Sequence, residues 1–271
     1  MIIDAFPFFQ ETELLKVRLE YLGKYVDRFI ISESDVDFSG RPKELVLCSK
    51  QLKNLPYNEK IEIVQSRSTF VDRKLIYPIS KKLKWRYPLW RIQSKQRNAI
   101  YKTVKSFDSQ GTFLFGDLDE FPDPEKLLLH FRESKISECI HSLEQASRVY
   151  NLKTQDGNGV WRGTMVCSLN KAKKKPPNEI RKMRFSSDPI SCGWHFSYFG
   201  SKKQVVRKIE SILAVEKHFH LNAKSETINN RICLSINPFS NTTNSPVKVE
   251  LKDYPADLIE CFHKHMPCAL Q

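Results

Sequence analysis

The sequence predicts an α/β protein built on a single, mostly parallel central sheet flanked by helices. Three observations carry this. In the first third, short β-branched apolar runs alternate with segments whose apolar residues recur every three or four positions, the pattern of strand–helix units. No stretch rich in Pro, Gly or Ser divides the 271 residues, and that length suits one large core. The composition, 40% hydrophobic, 11% aromatic and 28% charged, is that of a globular chain and excludes a disordered or collagen-like one.

The elements follow in chain order. Met1 to Ala5 is an apolar run suited to a buried strand. Residues 11–26 carry Leu14, Leu15, Leu19, Leu22 and Val26 at helical spacing. Arg28 to Ser32, Glu44 to Cys48 and Ile61 to Gln65 are β-branched runs bounded by turn residues, each read as a strand. A helix is expected over 89–107, then a buried strand from Thr112 to Gly116. Asp123-Pro124-Glu125 opens a further helix, with Asp as N-cap, Pro at the first helical position and Glu at the positive dipole end. Beyond residue 146 the pattern changes to strands near 147–152 and 160–169 and helices near 201–217 and 224–235.

Forty-four Lys and Arg against 31 Asp and Glu give a net charge of +13. That excess suits phosphate-bearing ligands, nucleic acid or an anionic membrane face. The opening MIIDAFPFFQETE has no basic region, long apolar run or small-residue cleavage site, so no signal peptide or membrane anchor is expected, and the chain is placed in the cytoplasm. Seven scattered cysteines without a C-x-x-C fit reduced thiols rather than a disulfide framework or zinc ribbon. Cys261, His263, His265 and Cys268 cluster locally, but their spacing matches no familiar zinc finger.

The most informative run is Gly116-Asp117-Leu118-Asp119-Glu120-Phe121. In open α/β sheets, ligands bind beyond the carboxyl ends of the strands. An apolar strand that empties into three carboxylates concentrates negative charge there. Such charge is costly unless a cation neutralises it, and hard oxygen ligands suit Mg²⁺ or Mn²⁺. An ion held by one or two carboxylates completes its shell with phosphates, so a nucleotide diphosphate is the matching partner. Helix capping explains Asp123 and Glu125 but leaves Asp117, Asp119 and Glu120 unexplained.

At these residues the chain resembles glycosyltransferase family 17, the family of the β-1,4-mannosyl-glycoprotein 4-β-N-acetylglucosaminyltransferase. The resemblance runs from Met1 to about residue 235. It is carried by MIIDAFPFFQETELLKVRL with Glu11 and Arg18, by Ile31-Ser32-Glu33-Ser34, and by Phe38-Ser-Gly-Arg-Pro-Lys43. Gln96-Arg97-Asn98-Ala99-Ile100, Gly116-Asp-Leu-Asp-Glu-Phe-Pro122 and Gly193-Trp-His-Phe-Ser-Tyr-Phe-Gly200 complete it. A lone D-x-D is common by chance; the ordered set of blocks is specific. The chain departs from the family at Gln93, where an acid is usual, and at Ala214-Val215-Glu216, where His-x-Glu is usual.

The resemblance implies a GT-A type fold across 1–271. Residues 1–122 would form the nucleotide-sugar-binding part, 123–236 the acceptor-binding part and 237–271 a C-terminal extension. It also implies a divalent cation (Mn²⁺ or Mg²⁺), a UDP-sugar donor with UDP-GlcNAc as the family-based choice, and inverting transfer to a glycan, glycolipid or glycoprotein. Asp117 and Asp119 are the expected metal ligands, with Glu120 in support. His195 either completes the metal or diphosphate site or packs inside the aromatic cluster of Trp194, Phe196, Tyr198 and Phe199. Arg97 is placed to stabilise the leaving diphosphate, unless it is an ordinary helix-surface charge. Glu33, at a strand end, is placed to meet the nucleoside, or else is solvated. Glu216 and Asp188 are the rival catalytic bases, and a solvent-facing helix Glu is the plain reading of Glu216.

Residues 80–97 hold seven Lys or Arg and no acid, interleaved with Trp85, Tyr87 and Trp90. This composition suits phosphates and stacked rings, sugar faces included, or a solvated helix face with buried aromatics. Two alternatives to glycan transfer therefore stand: a glycosyltransferase of the same fold that modifies nucleic acid, and a nucleic-acid-binding module without catalysis.

Overall fold

The computed structural model describes residues 1–83, 87–108, 110–133, 139–213, 225–234, 245–246 and 250–270. Its strands are β1 (Ile2–Phe8), β2 (Arg28–Ser34), β3 (Ile61–Ser66), β4 (Thr112–Phe115), β5 (Glu120–Phe121), β6 (His141–Val149), β7 (Thr154–Ser168), β8 (Asp188–Ser197) and β9 (Ser245–Pro246). Helices α1 (Thr12–Leu22), α2 (Ser49–Leu52), α3 (Tyr77–Lys82), α4 (Tyr87–Ala99), α5 (Tyr101–Ser106) and α6 (Pro124–Glu133) lie in the first half. The second half has α7 (Leu169–Ala172), α8 (Pro177–Lys182), α9 (Lys202–Leu213), α10 (Ser225–Cys233) and α11 (Ala256–His265).

All described strands form one sheet in the order β3-β2-β1-β4-β7-β6-β8-β5, with β9 on β7. The β3-β2-β1-β4 half is parallel, as expected for strand–helix units. The other half is mixed: β7 runs antiparallel to β4 and β6, β8 parallel to β6, and β5 antiparallel to β8. The mostly parallel character thus belongs to the first half. A parallel half joined through one continuous sheet to a mixed half is the GT-A type arrangement that the resemblance implies.

Alternation along β1 sorts the two faces. Phe6 and Phe8 face a core shared with Leu14, Leu15 and Leu19 of α1 and Phe262 of α11. Ile3 and Ala5 face the opposite core, with Ile100, Val104 of α5, Phe113 and Met165. Among residues 237–271, α11 packs on α1, pinned by Lys264 and His265 to Glu20, each at 2.6 Å, and by Lys24 to Asp257 at 2.7 Å. His265 of the Cys/His cluster is therefore engaged with a carboxylate, and Cys261 is buried in the core.

Several expectations need correction. Glu44 to Cys48 is not a strand: the Val46 and Leu47 amides donate to the Glu33 carboxylate at 2.7 and 3.0 Å, so the donors a ladder requires are spent on a side chain. The helix over 89–107 is two helices that meet at Ile100. The strand expected at 147–152 begins earlier, at His141, and turns at Tyr150, whose φ is +66°. The ten-residue strand β8 was not anticipated. The helix near 201–217 is described to Leu213.

Candidate functional site

The acidic run lies where β4 leaves the sheet. A buried arginine bends the chain there. Arg18 of α1 and Asp4 of β1 pair at 2.8 Å with both side chains fully buried. The same guanidinium donates to the carbonyls of Leu118 at 3.1 Å and Glu120 at 2.6 Å. These bonds wrap residues 117–120 around a fixed cation and return Glu120 to the sheet as β5, opposite His195 of β8. A charge this deep is tolerated because its donors are matched by oxygens.

The three carboxylates have separate partners. Asp117 accepts from Arg97 at 3.0 Å and from Arg181 of α8 at 2.7 Å. Glu120, fully buried, accepts from Arg181 at 2.6 Å, from the Trp161 indole N–H at 2.7 Å and from the Asp117 amide at 2.9 Å. Asp119 meets the Lys208 ammonium of α9 at 2.9 Å, and Lys208 also meets Glu11 at 2.8 Å. His195 Nε2 stands 3.6 Å from Asp119 Oδ1. Burial raises the pKa of Asp119, but Lys208 and then His195 outweigh it and hold the carboxyl well below the usual range. In Asp117, burial is likewise outweighed by Arg181 and Arg97, so its pKa is lowered. Burial opposes the charge on Lys208, yet Asp119 and Glu11 raise its pKa well above 10.5.

These pairs correct one step of the sequence argument. The concentrated negative charge does not by itself require a metal, because Arg97, Arg181 and Lys208 neutralise it within the protein. Asp119 Oδ1 and His195 Nε2, 3.6 Å apart beside the same cavity, fit two ligands of one ion with bonds of about 2.1 Å. Asp117 fits less well, since both its oxygens are held by arginines. No group of three or more His, Cys, Asp or Glu side chains able to hold a metal occurs among the described residues, so phosphate oxygens or water would complete such a shell.

Strand periodicity decides between the two readings of His195. Trp194 and Phe196 point into the core beside Phe121 and Phe262, while His195 and Ser197 point to the other face and line the cavity. The imidazole stacks on Trp161 with centroids 4.7 Å apart and an interplanar angle of 19°, and the Ser197 hydroxyl lies 3.1 Å from Nδ1. Gly193 sets this alternation: its φ is +91°, and a Cβ there would stand 2.0 Å from the Phe121 carbonyl oxygen. It sits at the register shift between β6 and β8.

The cavity, about 200 Å³, is lined by Glu11, Gln93, Arg97, Asp117, Asp119, Trp161, His195 and Lys208, with Phe9 and Phe38 stacked at 5.3 Å on another wall. Gln93 thus faces the site from the position where the family carries an acid. The QRN block is fixed residue by residue. Gln96 donates to the carbonyls of Phe8 and Ser32, both at 2.9 Å, Arg97 holds Asp117, and Asn98 Oδ1 accepts from the Asn178 amide at 3.0 Å.

The fold brings Asp117, Asp119, Arg97 and His195 together. It does not bring Glu33 or Asp188 to the cavity. Glu33 is buried, and its carboxylate is taken by Lys43 at 3.2 Å and by the Val46 and Leu47 amides. Asp188 is exposed at the first position of β8, seven residues and roughly 20 Å of extended chain from His195, and does not line the cavity. Glu216 lies outside the described residues.

Sequence reasoning missed Arg181, Lys208 and Trp161. The two cations carried a readable signal: each occupies a helix position within the apolar stripe. Lys208 stands among Val205, Ile209 and Ile212, and Arg181 beside Pro177 and Ile180, as Arg18 stands among Leu14, Leu15, Leu19 and Leu22. A cation on the buried face of a helix needs a buried anion, and here the anions are those of the acidic run.

Among solved structures, the chain is similar to 4-diphosphocytidyl-2C-methyl-D-erythritol synthase from Anaerococcus prevotii, at 9% identity over 77% of this chain and 94% of that one, with a TM-score of 0.40. It is similar to 2-C-methyl-D-erythritol 4-phosphate cytidylyltransferase from Francisella tularensis, at 10% identity over 78% and 98%, TM-score 0.38. The galactosyltransferase LgtC, in complex with donor and acceptor sugar analogs, matches at 12% identity over 68% and 63%, TM-score 0.34. No curated protein sequence matches the chain. The acidic run and QRN block that build the site fall within residues 1–240, which match the model of glycosyltransferase family 17, and the chain belongs to that family.

Proposed function

We propose that this glycosyltransferase moves GlcNAc from UDP-GlcNAc, with inversion, onto a glycan, glycolipid or glycoprotein acceptor, with its chemistry in the cavity beside Asp117 and Asp119. The observation that supports this most is the convergence of Arg97, Lys208, Asp119 and His195 on one cavity at the end of β4. The donor sugar and the inversion rest on the family. Residues 1–122 are assigned to the donor and 123–236 to the acceptor.

In this reading the diphosphate enters beside Arg97, whose guanidinium exchanges part of its hold on Asp117 for phosphate oxygens. Lys208 stays between Glu11 and Asp119 and contributes positive potential where leaving-group charge develops. Arg181 and Arg18 keep the 117–120 loop in place and do not meet substrate. Trp161 and the Phe9–Phe38 pair offer ring faces to a sugar or a base. A divalent ion held by Asp119 and His195 would add charge stabilisation of the leaving diphosphate. Glu216 is kept as the acceptor base on the family pattern alone.

The test is donor hydrolysis and transfer measured with UDP-, GDP- and CMP-sugars, with Mn²⁺ or Mg²⁺ and with EDTA. Turnover of UDP-GlcNAc that EDTA suppresses is the expected result. Turnover of a different donor would overturn the sugar assignment, and turnover insensitive to EDTA would overturn the metal assignment.

A further inference from the structure

Among the described residues, eleven large apolar side chains are exposed, and six of them lie between residues 70 and 90: Phe70, Val71, Leu75, Ile79, Leu83 and Trp90. Phe70 is 69% exposed and Leu83 68%, values at which a side chain contributes nothing to the core. The chain is helical from residue 70 to residue 82, with a π-helical turn over Asp72–Ile76, and the exposed Val71, Leu75 and Ile79 recur every four residues along it, followed by the exposed Leu83 in the turn beyond. The inner face is anchored through Tyr77, which packs with Val36 and Ile92. The helix is thus held to the protein by one side and presents hydrocarbon on the other.

The charge around this stripe is mostly positive, and Asp72 within it is paired with Lys95. From Arg73 to Phe107 the sequence has eleven Lys or Arg and no Asp or Glu, a large part of the net +13. Arg73, Lys74 and Lys82 are exposed on the same segment, and Arg91 and Lys95 of α4 are exposed where they line a cavity with Asp72, Ile76 and Tyr77. Arg73 and Lys95 make ion pairs of 3.4 and 3.7 Å with Asp35 and Asp72; no salt bridge joins Lys74, Lys82 or Arg91 to an acid among the described residues.

An aliphatic stripe bordered by cations matches the surface of an anionic bilayer, where the stripe enters the acyl boundary and the cations meet headgroup phosphates. Nucleic acid would use the cations and aromatic rings but leave Val71, Leu75, Ile79 and Leu83 in water, a cost with no return. Among the described residues no helix is long and apolar enough to cross a membrane, so the contact is one of docking at the surface. We infer that the 70–91 segment docks this enzyme on an anionic lipid surface. Tyr77 of this segment packs on Ile92 of α4, the helix whose Gln93 and Arg97 line the cavity, so docking is coupled to the site through one helix.

The inference is independent of which donor or acceptor the enzyme uses. Co-sedimentation of the full chain with phosphatidylcholine vesicles, with and without 30% phosphatidylserine, tests it across a salt series. We expect binding to the anionic vesicles only, and at least a tenfold loss of binding in the double variant Leu75→Glu/Leu83→Glu with an unchanged melting temperature. Lys74→Glu/Lys82→Glu should lose binding by a similar factor at low salt. Absence of binding to anionic vesicles at low salt overturns the inference. So does equal binding by the Leu75→Glu/Leu83→Glu variant, or a preference for duplex oligonucleotide that both variants share.

Discussion

The ammonium of Lys208 lies 2.9 Å from Asp119 Oδ2 and joins α9 to the acidic run, 89 residues earlier in the chain. The same ammonium reaches Glu11 at 2.8 Å, so one buried cation serves two carboxylates of the cavity. Removing it as Lys208→Met would leave both acids poorly partnered. The expected cost is about 3–5 kcal/mol, a fall in melting temperature of roughly 10 °C. Lys208→Met/Asp119→Asn should recover part of that loss, because the second change removes one uncompensated charge. Equal melting of Lys208→Met and wild type would refute the role.

The same pair fixes a pH dependence. Asp119 has its folded pKa lowered from 3.8, so its contribution to stability is complete above about pH 4–5 and is lost as pH falls toward the lowered value. Lys208 has its folded pKa raised from 10.5, so its contribution is complete below that value and is lost only as pH rises through the raised one. Denaturant titrations between pH 2 and 5 should therefore show wild-type stability falling more steeply than that of Asp119→Asn, by up to about 1.4 kcal/mol per pH unit. Parallel slopes would count against the pairing.

Asp119 and His195 should act together on a metal. We expect His195→Ala to weaken Mn²⁺ binding in the presence of UDP at least tenfold, read by calorimetry or by the free-ion resonance signal. Asp119→Asn should weaken it further. Asp117→Asn should do less to the ion and more to turnover, since Asp117 is held by Arg97 and Arg181.

Arg97→Lys keeps the charge and loses the planar fork. A fall in kcat of about a hundredfold with little change in stability is expected from initial rates with UDP-GlcNAc. Asp188→Ala, at the far end of β8, should leave kcat within twofold of wild type in initial-rate measurements; a large fall would return Asp188 to the catalytic machinery.

Gly193→Ala should be damaging although it adds a single methyl group. Its φ of +91° and the 2.0 Å approach of a Cβ to the Phe121 carbonyl leave no room without shifting β5 against β8. A loss of more than about 2 kcal/mol is expected by denaturation, with kcat falling because His195 is displaced from Asp119.

Much of this protein is written locally. The apolar runs of β1 and β4, the helical spacing of α1, the cap at Asp123 and the acidic run after β4 are patterns within a few residues, and in α1 periodicity alone states which face is buried. The Asp123 carboxylate does accept from the Glu125 and Lys126 amides, both at 3.2 Å, as the Asp-Pro-Glu signal implies. The ordered blocks added the family. What the sequence left open was partnership. Arg181 and Glu120 are 61 residues apart, Lys208 and Asp119 are 89, and Arg18 and Glu120 are 102. Local spacing sets these cations on apolar helix faces but names no partner for any of them. Only the sheet order, which sets β8 beside β5 and places α1, α8 and α9 around the end of β4, decides that the acids are met by arginine and lysine. The same order buries Glu33 under its own loop and leaves Asp188 at the opposite end of β8. The reason is physical: burial penalises every unpaired charge, so the fold that closes the core also selects which charges meet.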